Sequence, residues 1–214
     1  MKHLIIIGAG GMGRQIYYDA TLSKGYGSEW DIKGFIDDNL HAFDGFEGEG
    51  YPPLIGTIKD YQPVADDVFT CSMGEVLTKH KVCDLIESRG GEFINLIHNK
   101  VVLHPSVKIG KGVIISYDAG FGVDVTVGDF CLIQNGAIIG HDVKIGNYSR
   151  IDCRVILIGG VIIGNDVTIH TNSIVSHNVV VGDGAKVGAM SFVIRKVKPG
   201  TTVQGNPAKR IIYE

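Results

Sequence analysis

The chain has 214 residues, which is enough for one or two domains. Its composition, 44% hydrophobic and 20% charged, is that of an ordinary soluble globule, and no apolar run approaches the roughly 18 residues of a membrane span. A formal net charge of −3 argues against a nucleic-acid-binding protein. We therefore expect a cytoplasmic protein with no membrane span and no nucleic-acid partner.

The first residues combine a strand pattern, a glycine motif and a helix pattern. The β-branched run Lys2–Ile7 predicts a buried strand and is too short for a secretory signal. The motif Gly8-Ala9-Gly10-Gly11-Met12-Gly13 follows, and helical spacing continues from Arg14 to Lys24. Its G-x-G-x-x-G spacing is the dinucleotide fingerprint, in which glycines let the backbone approach a pyrophosphate at a helix N-terminus.

The remainder of a first domain, residues 1–97, alternates strands with helical spacing. Ile32–Ile36 and Val68–Ser72 predict strands and Gly74–Arg89 predicts a helix, which together indicate a small parallel sheet. Asp37 ends the second strand, where we expect it to accept a hydrogen bond from a ribose hydroxyl. About 97 residues are too few for two mononucleotide halves, so the motif favours a nucleotide sugar over a redox NAD site. A tight turn with no ligand is the alternative.

A strict repeat of six dominates the second half of the chain. From Leu103 to Val193 every sixth residue is large and apolar, the residue four places later is small, and the residue one place later is often glycine, as at Gly110 and Gly128. Such hexapeptide repeats mark a parallel β-helix, with the large residue in the interior. We expect the corner glycines to supply positive φ angles. Three hexads close one triangular turn, which predicts about five coils stacked at about 4.8 Å.

The 18-residue turn shows which residues stack in one column. His141, Gly159 and His177 share a column, so the two histidines lie two coils apart, roughly 10 Å. His141 occupies a non-interior position, and we expect its ring to face outward into a groove, where a neutral imidazole can act as general base. Asp142 could orient that ring. The alternative is a solvated corner histidine.

Several other polar residues have expected roles. Asp152 and His170 are 18 residues apart and should be stacked neighbours, while His170 and His177 fit structural or interface roles. Residues 186–214 contain six cations against one acid, and a basic end suits a phosphorylated cofactor such as coenzyme A, or is simply a solvated face. The four cysteines form no C-x-x-C motif and are expected to be small core residues in a reducing compartment: Cys71, Cys83, Cys131 and Cys153.

Five motifs in this order resemble the sugar O-acyltransferase family, which includes sialic acid O-acetyltransferases and bacillosamine-type N-acetyltransferases. The resemblance covers nearly the whole chain and implies a Rossmann-like domain that binds the sugar, often a UDP-amino-sugar. It also implies a left-handed β-helix over residues 98–214, a homotrimer, and acetyl-CoA bound in grooves between subunits, without a metal. The motifs are Gly8-Ala9-Gly10-Gly11-Met12-Gly13, Phe35-Ile36-Asp37-Asp38, Ile94-Asn95-Leu96-Ile97-His98, Ile139-Gly140-His141-Asp142, and Pro199-Gly200-Thr201 with Gly205-Asn206-Pro207-Ala208-Lys209.

The resemblance also implies roles for individual residues. His141 is expected to deprotonate the acceptor amine or hydroxyl as it attacks the thioester, with Asp142 as its acidic companion. Arg150 stands where many members have a second histidine, and this departure leaves the cofactor contacts at that coil open. The residues expected at the cofactor are Arg150, Gly159, Gly188 and Ala189, and those expected at the substrate are Gly10, Gly11, Met12, Gly13 and Asp37.

Two other functions stay open at this point. The 36-residue gap between His141 and His177 resembles that between two zinc ligands of γ-class carbonic anhydrases, but Gly182 occupies the place of the third histidine. A non-catalytic sugar-binding or scaffold trimer is the second alternative. The sequence also leaves open whether the acceptor is an amine or a hydroxyl and which sugar carries it, choices that we assign to the loop Asn39–Pro53.

Overall fold

The structure, a computed structural model, describes residues 1–46 and 48–211. It divides into two compact units, Met1–Asn99 and Lys100–Glu214, so the boundary lies two residues beyond the one expected after residue 97. No helix in the described residues reaches the length and hydropathy needed to cross a bilayer.

The first unit is a parallel sheet with two helices. Its strands pair in the order β3-β2-β1-β4-β5, and every pairing is parallel, which confirms the α/β class. Residues Leu4–Ile7 of the central strand are fully buried, as expected for a parallel strand covered on both faces. The elements are β1 (Lys2–Ile7), α1 (Gly11–Thr21), β2 (Trp30–Ile36), β3 (Leu54–Gly56), β4 (Asp67–Cys71), α2 (Val76–Ser88), β5 (Glu92–Phe93) and β6 (Leu96–Ile97).

Helix α1 differs from the predicted span Arg14–Lys24 at both ends. It begins inside the glycine motif, at Gly11, because the motif itself forms the first helical turn. It ends at Thr21, where the N–H groups of the next two residues donate hydrogen bonds to carbonyls only three residues earlier in the chain. The Ser23 hydroxyl also donates a hydrogen bond to the Asp19 carbonyl, at 2.8 Å.

The second unit is a parallel β-helix with three walls of five paired strands each, which confirms the predicted five coils. The first wall contains β7, β10, β13, β16 and β19; the second β8, β11, β14, β17 and β20; and the third β9, β12, β15, β18 and β21. In order from β7 to β21 the strands are Lys108–Ile109, Ile114–Ile115, Gly120–Phe121, Thr126–Val127, Leu132–Ile133, Ile138–Ile139, Lys144–Ile145, Arg150–Ile151, Ile156–Leu157, Ile162–Ile163, Thr168–Ile169, Ile174–Val175, Val180–Val181, Lys186–Val187 and Phe192–Val193.

The interior of this β-helix follows the repeat. From Val127 to Val193 the large residue of every hexad is buried, as predicted, whereas Leu103, Ile109 and Phe121 near the first coils are half-buried. After the last full coil, β22 (Thr202–Gln204) pairs parallel with β20, and β23 (Lys209–Ile211) pairs antiparallel with β22.

The corner glycines correct one expectation. Glycines one place after the large residue, such as Gly110, Gly128 and Gly146, do not have positive φ angles. They are small because the next coil passes close by: a Cβ on Gly146 would lie 2.6 Å from the Gly164 carbonyl carbon and 2.7 Å from the Asn165 nitrogen. The positive φ angles fall two residues later in the hexad and are mostly carried by other residue types, including Asp142 at 60°.

One corner is tied together by side chains. We call it the asparagine corner; it joins the first wall to the second and carries Asp129, Asn147, Asn165 and Asp183 at successive coils. The Oδ1 atom of each accepts the backbone N–H of the residue 18 places earlier, at 2.8–2.9 Å. This column of Asp and Asn side chains therefore provides hydrogen-bond acceptors for backbone N–H groups that are not bonded within the paired strands.

None of the four cysteines forms a disulfide bond with another described residue. Cys71, Cys83 and Cys131 are buried, as expected of small core residues. Cys153 is only half-buried, so the expectation was wrong there; its Sγ donates to Oε1 of Gln134 at 3.1 Å because its side chain lies at an outer corner position.

Candidate active site

The glycine loop of the first unit lies at the carboxyl ends of the central strands. Gly8 has a φ of 94°, and a Cβ on Gly13 would collide with the Gly8 carbonyl group, so both positions require glycine. Gly10 and Gly11, at the start of α1, meet no other group closely and are exposed. The open backbone at a helix N-terminus is the geometry predicted for a phosphate-binding loop.

Two side chains from neighbouring strand ends brace this loop. Asp37, after β2, accepts the N–H of Ala9 at 2.7 Å through Oδ2 and the N–H of Asn39 at 2.9 Å through Oδ1. Ser72, after β4, donates to the Ile7 carbonyl at 2.7 Å. Asp37 therefore holds the loop in shape, and its contact with a ribose stays a prediction. Ser72 was not foreseen, because nothing in the sequence distinguishes it from other small residues after a strand.

The loop after β2 folds back onto the first unit through aromatic rings. Phe43 packs edge-on against Phe35, with centroids 5.1 Å apart, and stacks with Tyr51 at 5.8 Å. The guanidinium of Arg14 lies 3.7 Å from the centroid of the Phe46 ring. Arg14 follows the glycine motif directly, so this stack joins the loop to the first turns of α1, a contact that sequence spacing does not reveal.

In the second unit, His141 lies at the corner that joins the third wall to the first, between β12 and β13. We call this the histidine corner. Its imidazole side chain is 59% exposed, which confirms that the ring faces outward. Nδ1 of His141 lies 2.7 Å from Oδ2 of Asp142, whose own side chain is 63% exposed. The positive φ of Asp142 turns the chain so that these adjacent side chains meet.

The space over Gly159 is filled by the His141 side chain. A Cβ at this position would collide with the Nε2 and Cε1 atoms of His141, because the imidazole from the preceding coil occupies that space. The ring then approaches that of His177 from the next coil, with centroids 6.2 Å apart. Gly159 is therefore the residue that allows the His141 ring to adopt this position, and its contact with a cofactor stays a prediction.

Arg150 forms a polar cluster at a different corner. Nε of Arg150 donates to Oδ1 of Asp152 and its terminal nitrogen to Oδ2 at 3.2 Å, while Nδ1 of His170 lies 3.1 Å from the same Oδ2. Asp152 is 4% exposed, so the two neighbours offset the cost of burying its charge. The predicted stacking of Asp152 and His170 is confirmed.

The remaining predicted cofactor residues lie at this same third corner, between the second and third walls. The Gly188 carbonyl accepts hydrogen bonds from the hydroxyls of Ser173 and Ser191, at 2.8 and 2.6 Å. The side chain of Gln204 packs against the Cα of Gly188. Ala189 is exposed. One copy of the chain therefore brings His141, Asp142 and Gly159 together but leaves Arg150, Gly188 and Ala189 on another edge of the β-helix.

Comparisons with known proteins agree with this architecture. Residues 3–86 match the PglD N-terminal domain, and residues 160–195 match the bacterial transferase hexapeptide repeats. The structure is similar to the acetyltransferase domain of PglB from Neisseria gonorrhoeae, at 26% identity and a TM-score of 0.88, over 99% of this chain and 100% of that one. The chain therefore contains the two kinds of domain that the resemblance to the sugar acyltransferase family implied. The same PglB domain is also known in complex with acetyl coenzyme A.

Two further proteins are similar to this chain, one in structure and one in sequence. PerB from Caulobacter crescentus, solved with CoA and GDP-perosamine, has 22% identity and a TM-score of 0.85 over 99% of this chain and 98% of that one, which shows the shared fold. An uncharacterized protein, L142, of Acanthamoeba polyphaga mimivirus is 32% identical over 133 residues. The chain spans about a quarter of the length of that relative, 24%, and the match covers 61% of the chain.

Proposed function

We propose that this protein transfers an acetyl group from acetyl-CoA to an amine or hydroxyl of a nucleotide-linked sugar, with His141 as general base. The His141–Asp142 pair on an exposed corner is the observation that carries the proposal, because it places a basic nitrogen where an acceptor can reach it. The likeness to a PglB domain that binds acetyl coenzyme A supports the donor. The open glycine loop and the PerB complex with a nucleotide sugar support the acceptor class.

The pair suggests a direct transfer. Asp142 accepts a hydrogen bond from Nδ1–H of His141, which leaves Nε2 unprotonated and able to take a proton. As the acceptor nitrogen or oxygen attacks the thioester carbonyl carbon, its proton passes to Nε2. The C–S bond then breaks, the sulfur leaves as thiolate, and the imidazolium returns the proton to it.

The backbone beside the ring suits the charge that develops in this reaction. Among the described residues the N–H of Gly159 has no hydrogen-bond acceptor, so it is free to donate to the oxyanion of the tetrahedral intermediate. Asp142 stabilises the imidazolium that forms at the same time.

A homotrimer completes the proposed cofactor site. His141 and Arg150 lie on different edges of one β-helix, so a single groove can contain both only if a second copy brings its third corner to the histidine corner of the first. Packing by rotation about a threefold axis gives three equal grooves. Light scattering should therefore report a trimer, and a stable monomer would rule out the shared groove.

The activity is tested with a screen and one substitution. Purified protein is mixed with acetyl-CoA and a panel of UDP-, GDP- and CMP-linked sugars and free sialic acid, and thiol release is followed. With the best acceptor, His141→Ala should lower kcat by about 10²–10⁴, the usual contribution of a general base. His104→Ala, at another exposed histidine of the same unit, should keep at least half of the activity.

The same experiment separates the alternatives. A loss below threefold in His141→Ala would remove this residue from the mechanism. Binding of a sugar nucleotide without transfer to any acceptor would favour the non-catalytic scaffold.

A further inference from the structure

The histidine corner contains a second imidazole that has no part in the proposed reaction. His177 lies in the same column as His141, two coils further on, and the strands that precede the two residues, β12 and β18, belong to one wall. Both side chains are exposed. At the interstrand spacing, two coils separate the backbones of these residues by roughly 10 Å. The ring centroids are nevertheless only 6.2 Å apart, so the two side chains lean towards each other across the coil between them.

The coil between the two histidines leaves room for this approach, because it has two glycines at the corner. The space over Gly159 is filled by His141 from the preceding coil, and the space over Gly160 is filled by Asn178 from the following coil. The backbones stay in register, since the N–H of Gly160 donates to the His141 carbonyl at 2.9 Å and the N–H of Asn178 donates to the Gly159 carbonyl at 3.2 Å. We call the two glycines the glycine notch, and the backbone on both sides of it is held by hydrogen bonds.

Three contacts define the position of the His141 ring within this notch. Oδ2 of Asp142 lies 2.7 Å from Nδ1, Gly159 supplies the space, and the His177 ring approaches at an interplanar angle of 60°. The first contact comes from a side chain that is itself more than half exposed, and the second comes from a residue with no side chain. An exposed side chain keeps its rotamer freedom unless other groups restrict it. The edge-to-face contact with His177 supplies such a restriction, and this arrangement of two rings is a favourable one.

We propose that His177 is a positioning residue for the general base, because its ring keeps the imidazole of His141 in the glycine notch. This inference rests on the proposed function for the role of His141. Proton transfer requires the base within hydrogen-bond reach of the acceptor, and a small displacement of a catalytic group lowers the rate strongly. His177 then acts through His141 alone, and it takes no proton from the acceptor.

Three substitutions at His177 test this assignment. His177→Ala and His177→Gln remove the ring and should lower kcat by roughly 3–10-fold, which is the contribution of one edge-to-face ring pair. His177→Phe keeps a ring at the same place without an ionisable nitrogen and should retain kcat within twofold. KM for acetyl-CoA and for the acceptor should stay within twofold in all three variants. His104→Gln, at another exposed histidine of the same unit, is the control and should leave both constants unchanged.

NMR spectra of the imidazole Cε1–H groups report on the ring without turnover. The His141 resonance is identified by its absence in His141→Ala. In the wild type a neighbouring ring shifts this resonance, so it should differ from that of His177→Ala and His177→Gln. In His177→Phe it should be displaced from the His177→Ala position in the same direction as in the wild type. The Tm of each His177 variant should equal that of the wild type, because this side chain is exposed.

The two measurements separate this proposal from the proposed function. If the variants without a ring acetylate the acceptor with kcat within twofold of the wild type, the positioning role fails and the acetyltransferase stands. An equal loss of kcat in His177→Phe and His177→Gln, or a rise in KM alone, would also overturn it, since His177 would then act by its own chemistry or on binding. If no acceptor is acetylated, the proposed reaction fails, and the resonance decides: the expected displacements uphold the hold of His177 on the ring, and an unchanged His141 resonance overturns it.

Discussion

The asparagine corner and the histidine corner occupy equivalent positions of the same hexad, yet their side chains do different things. At the asparagine corner Asn147 and Asn165 turn back and accept backbone N–H groups of the preceding coil. At the histidine corner Gly159 offers no side chain, and the His141 ring lies in the space that results. The comparison shows that only some corners of the repeat are tied by side chains to the backbone of the preceding coil, and that the histidine corner is not, which leaves it available for the proposed general base.

Both corners depend on glycine where neighbouring coils pass closest. Gly146→Ala would place a Cβ 2.6 Å from backbone atoms of Gly164, which cannot move without breaking the strand pairing. We expect the largest effect here, a loss of about 3 kcal/mol or more in the free energy of unfolding, or a fall in Tm of roughly 6–12 °C. Thermal unfolding followed by circular dichroism measures this.

Gly120→Ala is the matched control for that substitution. A Cβ at Gly120 meets nothing within 4 Å, so its Tm should stay near that of the wild type. Equal Tm values for the two variants would show that the coils can move apart at the corner and that close approach does not explain the glycine.

Gly159→Ala tests whether the histidine corner is built around its ring. The new methyl group would meet the end of a flexible side chain instead of backbone, so the fold should persist while His141 turns away. We expect kcat to fall by about 10–100-fold, because displacement of a catalytic group by about 1 Å has effects of that size. Activity within twofold of the wild type would show that the observed ring position is not the reactive one.

Asp142→Asn tests how much the negative charge of Asp142 contributes to the reaction at His141 when the shape of the corner is kept. Asparagine tolerates the left-handed backbone at this position as well as aspartate does, so the corner should keep its shape. Because both side chains are more than half exposed, we expect a modest fall in kcat of about fivefold. The fall is measured with the best acceptor at saturating acetyl-CoA, and an unchanged kcat would exclude Asp142 from the mechanism.

At the asparagine corner we expect Asn147→Ala to lower stability and to leave activity unchanged. It removes the acceptor of the Asp129 N–H, which then faces solvent, so the free energy of unfolding should fall by about 1 kcal/mol and kcat should stay within twofold. Asn147→Asp keeps an acceptor oxygen and should retain the stability of the wild type. A large loss of activity in Asn147→Ala would contradict the division of roles between the two corners.

Much of the β-helix could be predicted, since its register of six runs from Leu103 to Val193 without an insertion. An unbroken period allows a single assignment of interior, corner and column positions, and so the pairing of Asp152 with His170 followed from counting alone. The first unit was predictable to the level of its three longest strands, its parallel sheet and its glycine motif. Its helix ends were not, because the hydrogen bonds that end α1 at Thr21 have no distinct sequence signal.

The sequence by itself therefore determined the scaffold and the column that contains His141, because the periodicity of apolar burial sets both. Only the tertiary structure decided that the His141 ring covers Gly159, that the positive φ angles lie at positions such as Asp142, and that Arg150 is held by Asp152 at another corner. The physical reason is that these features depend on side-chain rotamers and on contacts between coils. Such contacts join residues 18 positions apart, whereas a local sequence pattern reports only on its own turn.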